Sequence, residues 1–474
     1  MLFNSYQFIF IFLPLVLIAF RLLEARYRLG FLVLASVVFY SVWSLEHLGL
    51  LLTSIGVNYW FAKRIGCGAL APPSFASPTG EAKATHPRGF WLGVAIVANL
   101  LPLLYFKYTL VQGTGVLLPL AISFYTFQQI AFLVDVYQGK VRLESFRKYL
   151  FFVLFFPQLI AGPIVHYQDL LTQVERGALS NRAIMGSGVM LFCIGLFKKV
   201  VLADSVMAIA NGAFGHIDTL SSLEAWVGIV AYSLGIYFDF SAYSDMAIGL
   251  GLLFGIVLPV NFRSPYKATN IVDFWRRWHI TLSEFLKYYI YIPLGGNRHG
   301  RSREVASLLL TMSIGGVWHG VGWTFLLWGF GHGVLLILVH FWHKSEVRRR
   351  IMHSSYFTTH YASSDPFKSF KIFFTFVMVT LLWVLFRANS LDEAIAYYGV
   401  LFSFDGRVLF STQQLWILGG LIIVWFMPNG KEIIDYGTFK KLKWYHALFA
   451  SLLSFIALKM MATAPAMSFV YFNF

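Results

Sequence analysis

Apolar runs long enough to cross a bilayer alternate with short basic loops along almost the whole chain. A spanning helix needs roughly 20 apolar residues. The first run, residues 5–20, is followed by Arg21, Arg26 and Arg28, which places that end in the cytoplasm and the N-terminus outside. Runs at 31–43 and 48–61 form a hairpin that returns at Lys63 and Arg64. Residues 66–88, rich in Pro, Gly, Ser and Ala, read as a cytoplasmic loop. Further spans fall at 90–106 and 116–134. The run 151–160 is short and is interrupted by Pro157 and Pro163, which predicts a re-entrant or broken helix rather than a full span. A span at 183–202 leads to residues 204–224, which carry acids but no Lys or Arg and read as external. The apolar stretch 225–260 holds Asp239 and Asp245.

Residues 263–303 are the most basic segment, with eight Lys and Arg, and belong at the cytoplasmic face. The hairpin 304–342 follows and turns near His319. Residues 343–371 read as a second cytoplasmic loop, and three more runs lie at 372–386, 415–427 and 447–461. The pattern predicts an all-α polytopic membrane protein of about 10–12 crossings, with re-entrant or interfacial helices besides. No long polar block divides it, so residues 1–474 read as a single transmembrane domain.

Composition agrees with that reading. The chain is 58% hydrophobic and only 12% charged, with a mean hydropathy of +0.67, where soluble domains carry about 25% charged residues. The net charge of +15 would point to nucleic acid in a soluble protein. Here the cations sit in short loops between spans, so membrane lipid is the expected partner and nucleic acid is not. Two cysteines, Cys67 and Cys193, give no disulfide framework. Residues 1–20 lack a basic n-region and a small-residue cleavage site, and read as a retained span.

Ionisable side chains inside such runs are costly and are functional candidates by default. His319 lies in Gly-Gly-Val-Trp-His-Gly, with Trp318 and Trp323 to wall a site and glycines around it for close approach. An imidazole kept neutral by an apolar surround is a usable general base. His279 lies in Asp-Phe-Trp-Arg-Arg-Trp-His. With 273–289 taken as one helix, Trp275, Trp278, His279, Leu282 and Leu286 share an inward stripe, and Asp273 pairs with Arg277 on the outer face. His332 reads as packing, and Asp239 and Asp245 read first as members of a polar network. A nucleophile elbow, a zinc-protease helix, a phosphate loop and a Cys/His metal spacing are all missing, so no metal site is expected.

Several ordered strings carry a resemblance. They are Phe-Phe-Pro-Gln-Leu-Ile-Ala-Gly-Pro-Ile (155–164), Tyr-Phe-Asp-Phe-Ser-Ala-Tyr-Ser-Asp-Met-Ala-Ile-Gly (237–249), Asn-Phe-Arg-Ser-Pro-Tyr (261–266), Asp-Phe-Trp-Arg-Arg-Trp-His-Ile-Thr-Leu-Ser (273–283), Tyr-Ile-Pro-Leu-Gly-Gly-Asn-Arg (291–298) and Val-Trp-His-Gly (317–320). Through them, over about 155–342, the chain resembles the membrane-bound O-acyltransferases, and among these the branch that O-acetylates bacterial polysaccharides. The resemblance implies a ring of tilted helices around a funnel or tunnel. It maps the family's two histidines to His319 and His279, and brings the acyl donor from the cytoplasm and the acceptor from the other side. Two positions depart from the family pattern: Lys287-Tyr288-Tyr289 stands where Arg-Asp-Tyr is usual, and His166 where Arg is frequent.

The expected reaction is acetyl transfer from acetyl-coenzyme A, with no bound cofactor, across a bacterial inner membrane to an extracytoplasmic polysaccharide such as alginate or cellulose. His319 would be the general base and His279 its assistant. Trp278, Trp318 and Asp239 would shape the substrate site. Arg276, with Arg298 and Arg301, would attract the donor's phosphates. The resemblance also implies a periplasmic partner resembling SGNH hydrolases. The alternatives are a lipid, protein or teichoic-acid acceptor and, in another class, a proton-coupled transporter or channel.

Overall fold

A computed structural model describes residues 1–66, 88–111, 118–177, 184–298, 300–344, 366–404, 412–435, 443–463 and 467–470. The two loops read as cytoplasmic, and Cys67, lie largely or wholly outside the described residues. Those residues form helices and turns, with no strand among them. Five helices are long and apolar enough to cross a membrane: Arg88–Thr109, Ser222–Leu253, Trp323–Trp342, Lys368–Arg387 and Trp444–Thr463. Shorter apolar helices run Gln7–Leu22 and Thr412–Phe426. The protein is an all-α polytopic membrane protein.

The chain forms two compact units. One comprises Met1–Cys193, Tyr243–Pro259 and Trp444–Ala450; the other comprises Ile194–Ala242, Val260–Lys443 and Ser451–Phe474. In the first, the buried amides of Asn58 and Asn99 exchange hydrogen bonds of 3.0 and 2.7 Å between helices Leu45–Gly66 and Arg88–Val111. Each satisfies the other where water is scarce. The short run near residue 155 is broken as its sequence requires. Helix Phe146–Leu154 stops at Phe155, and a single turn, Phe156–Leu159, follows it. Every residue from 151 to 165, around the break, is buried in protein, which is the setting in which a broken helix is tolerated at membrane depth.

In the second unit, helices Arg301–His319 and Trp323–Lys344 form the expected hairpin, with its turn just after His319. Glycines set their separation. A Cβ on Gly316 would lie 2.2 Å from the Phe325 carbonyl oxygen, and one on Gly329 would lie 2.3 Å from that of Met312. Only glycine permits this approach. The single helix expected over 273–289 is not formed. Helix Ile271–Trp275 ends, the chain turns, and a second helix, Ile280–Leu286, begins and passes into a π-helical turn, Lys287–Tyr291. The break falls at His279, which has φ 42° and ψ 55°. Left-handed backbone at a non-glycine residue costs on the order of 1–3 kcal/mol and persists only where its surroundings enforce it.

Candidate active site

The enforcement at His279 is local. The Asn261 carbonyl accepts the Ile280 N–H at 3.0 Å, and the Arg277 carbonyl accepts the Arg263 N–H at 2.9 Å. These bonds tie the turn to the extended segment before it. The Asn261 side chain adds a second tie: its Oδ1 lies 3.2 Å from His279 Nδ1 and accepts from the Thr281 N–H at 3.2 Å and the Thr281 hydroxyl at 3.1 Å. His279 and Asn261 are both fully buried. The imidazole meets Phe240 edge to face, with ring centroids 4.6 Å apart, and lies 6.3 Å from Phe262. Burial pushes the His279 imidazole down to about 3, so it is neutral at pH 7.

His319 ends its helix and is 3% exposed. Its ring stands perpendicular to Trp328 at 5.3 Å and edge-on to Phe386 at 5.1 Å. Trp318 relates the two histidines. Its indole is 4.7 Å from the His319 ring and 6.5 Å from the His279 ring. The structure therefore brings His279, His319 and Trp318 into one aromatic cluster, though the helix expected to carry His279 is interrupted. Such a cluster can hold neutral nitrogen bases away from bulk water, which favours proton transfer and suppresses hydrolysis of a reactive acyl group.

The other expected site residues are elsewhere. Trp278 is buried and packs against Phe262 at 5.1 Å, Phe274 at 5.6 Å and Trp383 at 5.1 Å, as part of the wall behind His279. Arg276, Arg298 and Arg301 are exposed. The Asp273–Arg277 pair forms at 2.8 Å as the helical spacing suggested. Asp239 lies in a buried ion cluster. It is 2.7 Å from Lys199 Nζ, which also reaches Asp204 at 2.8 Å, and its other oxygen accepts the Val470 N–H at 2.8 Å. Asp245 is half-buried in the first unit.

His332 is fully buried and stands edge-on to Trp328 at 4.8 Å and Trp275 at 5.2 Å. Trp328 thus contacts both His319 and His332. At the two positions that depart from the family pattern, Lys287 lies 5.0 Å over the Tyr288 ring, and His166 lies 3.4 Å from the Asp135 carboxylate.

Sequence reasoning missed Asn261, Lys199, Trp328 and Phe386. Lys199 left a usable signal: Phe-Lys-Lys-Val (197–200) puts two cations into an apolar run. Asn261 left none beyond its place in the string 261–266, because a neutral amide in a loop disturbs neither hydropathy nor periodicity.

Residues 142–382 match the membrane-bound O-acyltransferase family. Over most of its length the chain is similar to curated bacterial proteins. It is 40% identical to the peptidoglycan O-acetyltransferase of Helicobacter pylori, over 83% of this chain and 78% of that one. It is 38% identical to the "Probable alginate O-acetylase AlgI" of Azotobacter vinelandii, over 86% of this chain and 79% of that one. A more distant similarity, 26% identity over 57% of this chain and 73% of the other, joins it to the teichoic acid D-alanyltransferase of Bacillus subtilis. The family match takes in both His279 and His319 and the helices that hold them: the chain belongs to the membrane-bound O-acyltransferases and is an O-acyltransferase.

Proposed function

We propose that this enzyme takes acetyl from acetyl-coenzyme A on the cytoplasmic side and passes it through the bacterial inner membrane, where it O-acetylates an extracytoplasmic polysaccharide. The observation that carries this reading is the pair of buried histidines around Trp318, in a chain 36–40% identical to proteins named as alginate and peptidoglycan O-acetylating enzymes. His319 removes the proton of the accepting hydroxyl. That oxygen attacks the thioester carbonyl, the C–S bond breaks, and the departing thiolate takes up the proton. His279 shares the proton work or orients the thioester. The dry aromatic walls hold the reactants together and keep water from the acyl group. Exposed Arg276, Arg298 and Arg301 draw the donor's phosphates by long-range attraction. A periplasmic partner resembling SGNH hydrolases completes delivery to the sugar, and the N-terminus faces the periplasm.

The test is acetylation of surface polymer in a deletion strain carrying either the wild-type gene or His319→Ala. The variant is expected to insert at wild-type levels and to lose acetylation by roughly 10²-fold or more. Wild-type acetylation by a well-folded His319→Ala protein would falsify the assignment. A second reading, a teichoic-acid-type acceptor, draws on the similarity to the D-alanyltransferases. Mass spectrometry of the polymers of the deletion strain separates the two by which polymer loses its ester.

A further inference from the structure

We propose that Asn261 is a positioning residue of the acyl-transfer site, which fixes His279 as the tautomer protonated at Nδ1 and so makes Nε2 its basic nitrogen. The donors around the Asn261 amide fix its orientation. The Thr281 backbone N–H can only donate, and it points at the Asn261 side-chain atom assigned as oxygen, 3.2 Å away. Exchanging the amide's oxygen and nitrogen would set two donors against each other, so the network itself fixes Oδ1 in this place. Oδ1 carries no hydrogen. The Nδ1 of His279, 3.2 Å from it, therefore has to be the donor. A neutral imidazole has one N–H, so the lone pair lies on Nε2.

Three features hold this arrangement. Asn261 and His279 are each 0% exposed, so water does not compete for the bond. The Asn261 carbonyl anchors the Ile280 N–H, which keeps the left-handed turn at His279 in register with the amide. Thr281 gives Oδ1 two more donors, from its N–H and its hydroxyl, and prevents the amide from rotating. One asparagine thus governs both the backbone and the ring of the histidine that follows it by 18 residues. A ring nitrogen's protonation is set by the hydrogen bond that its partner nitrogen makes. With the opposite tautomer, an N–H would occupy the position where the lone pair is needed.

The catalytic consequence rests on the acetyl-transfer reading above, but the tautomer does not, and the experiment separates them. Full-length protein labelled with 15N-histidine is reconstituted in lipid, and its solid-state 15N spectrum is compared with that of His279→Gln to assign the ring. The expected spectrum shows a protonated Nδ1 and an unprotonated Nε2. A protonated Nε2 with a bare Nδ1 overturns the proposal. In Asn261→Leu the preference is expected to be lost, with kcat for acetyl transfer falling roughly 10²-fold, the scale of a lost base, and KM for acetyl-coenzyme A little changed. Asn261→Asp keeps the accepting oxygen and is expected to keep the Nδ1–H form and restore part of the rate. A folded Leu variant that retains the wild-type tautomer and kcat shows that Asn261 only packs, and overturns the assignment. If the Leu variant does not fold, the wild-type spectrum decides alone. An Nδ1–H ring in a protein that never acetylates polymer leaves the role of Asn261 standing and removes the acetylation reading instead.

Discussion

Lys199, 1% exposed, holds two carboxylates and a backbone carbonyl around one ammonium: Asp239 at 2.7 Å, Asp204 at 2.8 Å and Ser468 O at 3.3 Å. Breaking such a pair strands a buried charge and costs about 3–5 kcal/mol, whereas replacing both partners by apolar groups of similar volume is often neutral. Lys199→Met is therefore expected to lower the thermal midpoint of the detergent-solubilised protein sharply. Lys199→Met with Asp239→Leu is expected to recover much of that loss. A single variant as stable as wild type would show that the cluster bears no load. The same cluster shows what a sequence reveals about single residues. Asp239 was visible because a carboxylate is out of place in an apolar run, and so were His279 and His319. Their partners were less legible. Asp239 called for a cation or hydroxyl, yet its lysine lies 40 residues upstream, and only folding brings the two together.

At the scale of elements, hydropathy marked the hairpin over 304–342 and the interrupted run near residue 155 well, because chain reversals in a membrane follow span length. It failed over 273–289. The stripe of Trp275, Trp278, His279, Leu282 and Leu286 is buried as the helical period implied, but two short helices and a left-handed residue bury it. Helical periodicity cannot exclude a break that leaves the same residues facing inward, and left-handed backbone, though enriched at histidine, is too uncommon at any non-glycine residue to be read from its presence. The hairpin allows a prediction at this scale. Gly316→Ala puts a methyl group 2.2 Å from the Phe325 carbonyl oxygen, so the helices must move apart, at a cost of about 1–3 kcal/mol for overpacking. His319 lies one turn further along the same helix and should move with it. Acetyl transfer is expected to fall along with the thermal midpoint. Gly30→Ala is the control: its new methyl meets nothing within 4 Å in helix Ala25–Ser41. There alanine should be neutral or stabilising by up to about 1 kcal/mol. Equal behaviour of the two variants would remove the close-packing argument for the hairpin.

For the whole molecule, the proposed reaction requires sidedness, since it takes its donor from the cytoplasm and its acceptor from the other side of the membrane. Lys and Arg near the ends of the spans carry that information. Arg21, Arg26 and Arg28 predict that the end of the first span lies inside, and Lys63 and Arg64 predict that the chain returns to the same side. Cys67 follows within three residues, so it reports the side of the membrane without an engineered probe. The other cysteine, Cys193, is buried and should stay silent. A membrane-impermeant maleimide is expected to label inverted vesicles and not intact cells from which the outer barrier has been removed. Cys67→Ser should abolish the signal. Labelling from outside would reverse the topology. It would turn the basic segment that holds Arg276, Arg298 and Arg301 away from any cytoplasmic donor, and the buried histidines would then need an acyl source on the periplasmic side.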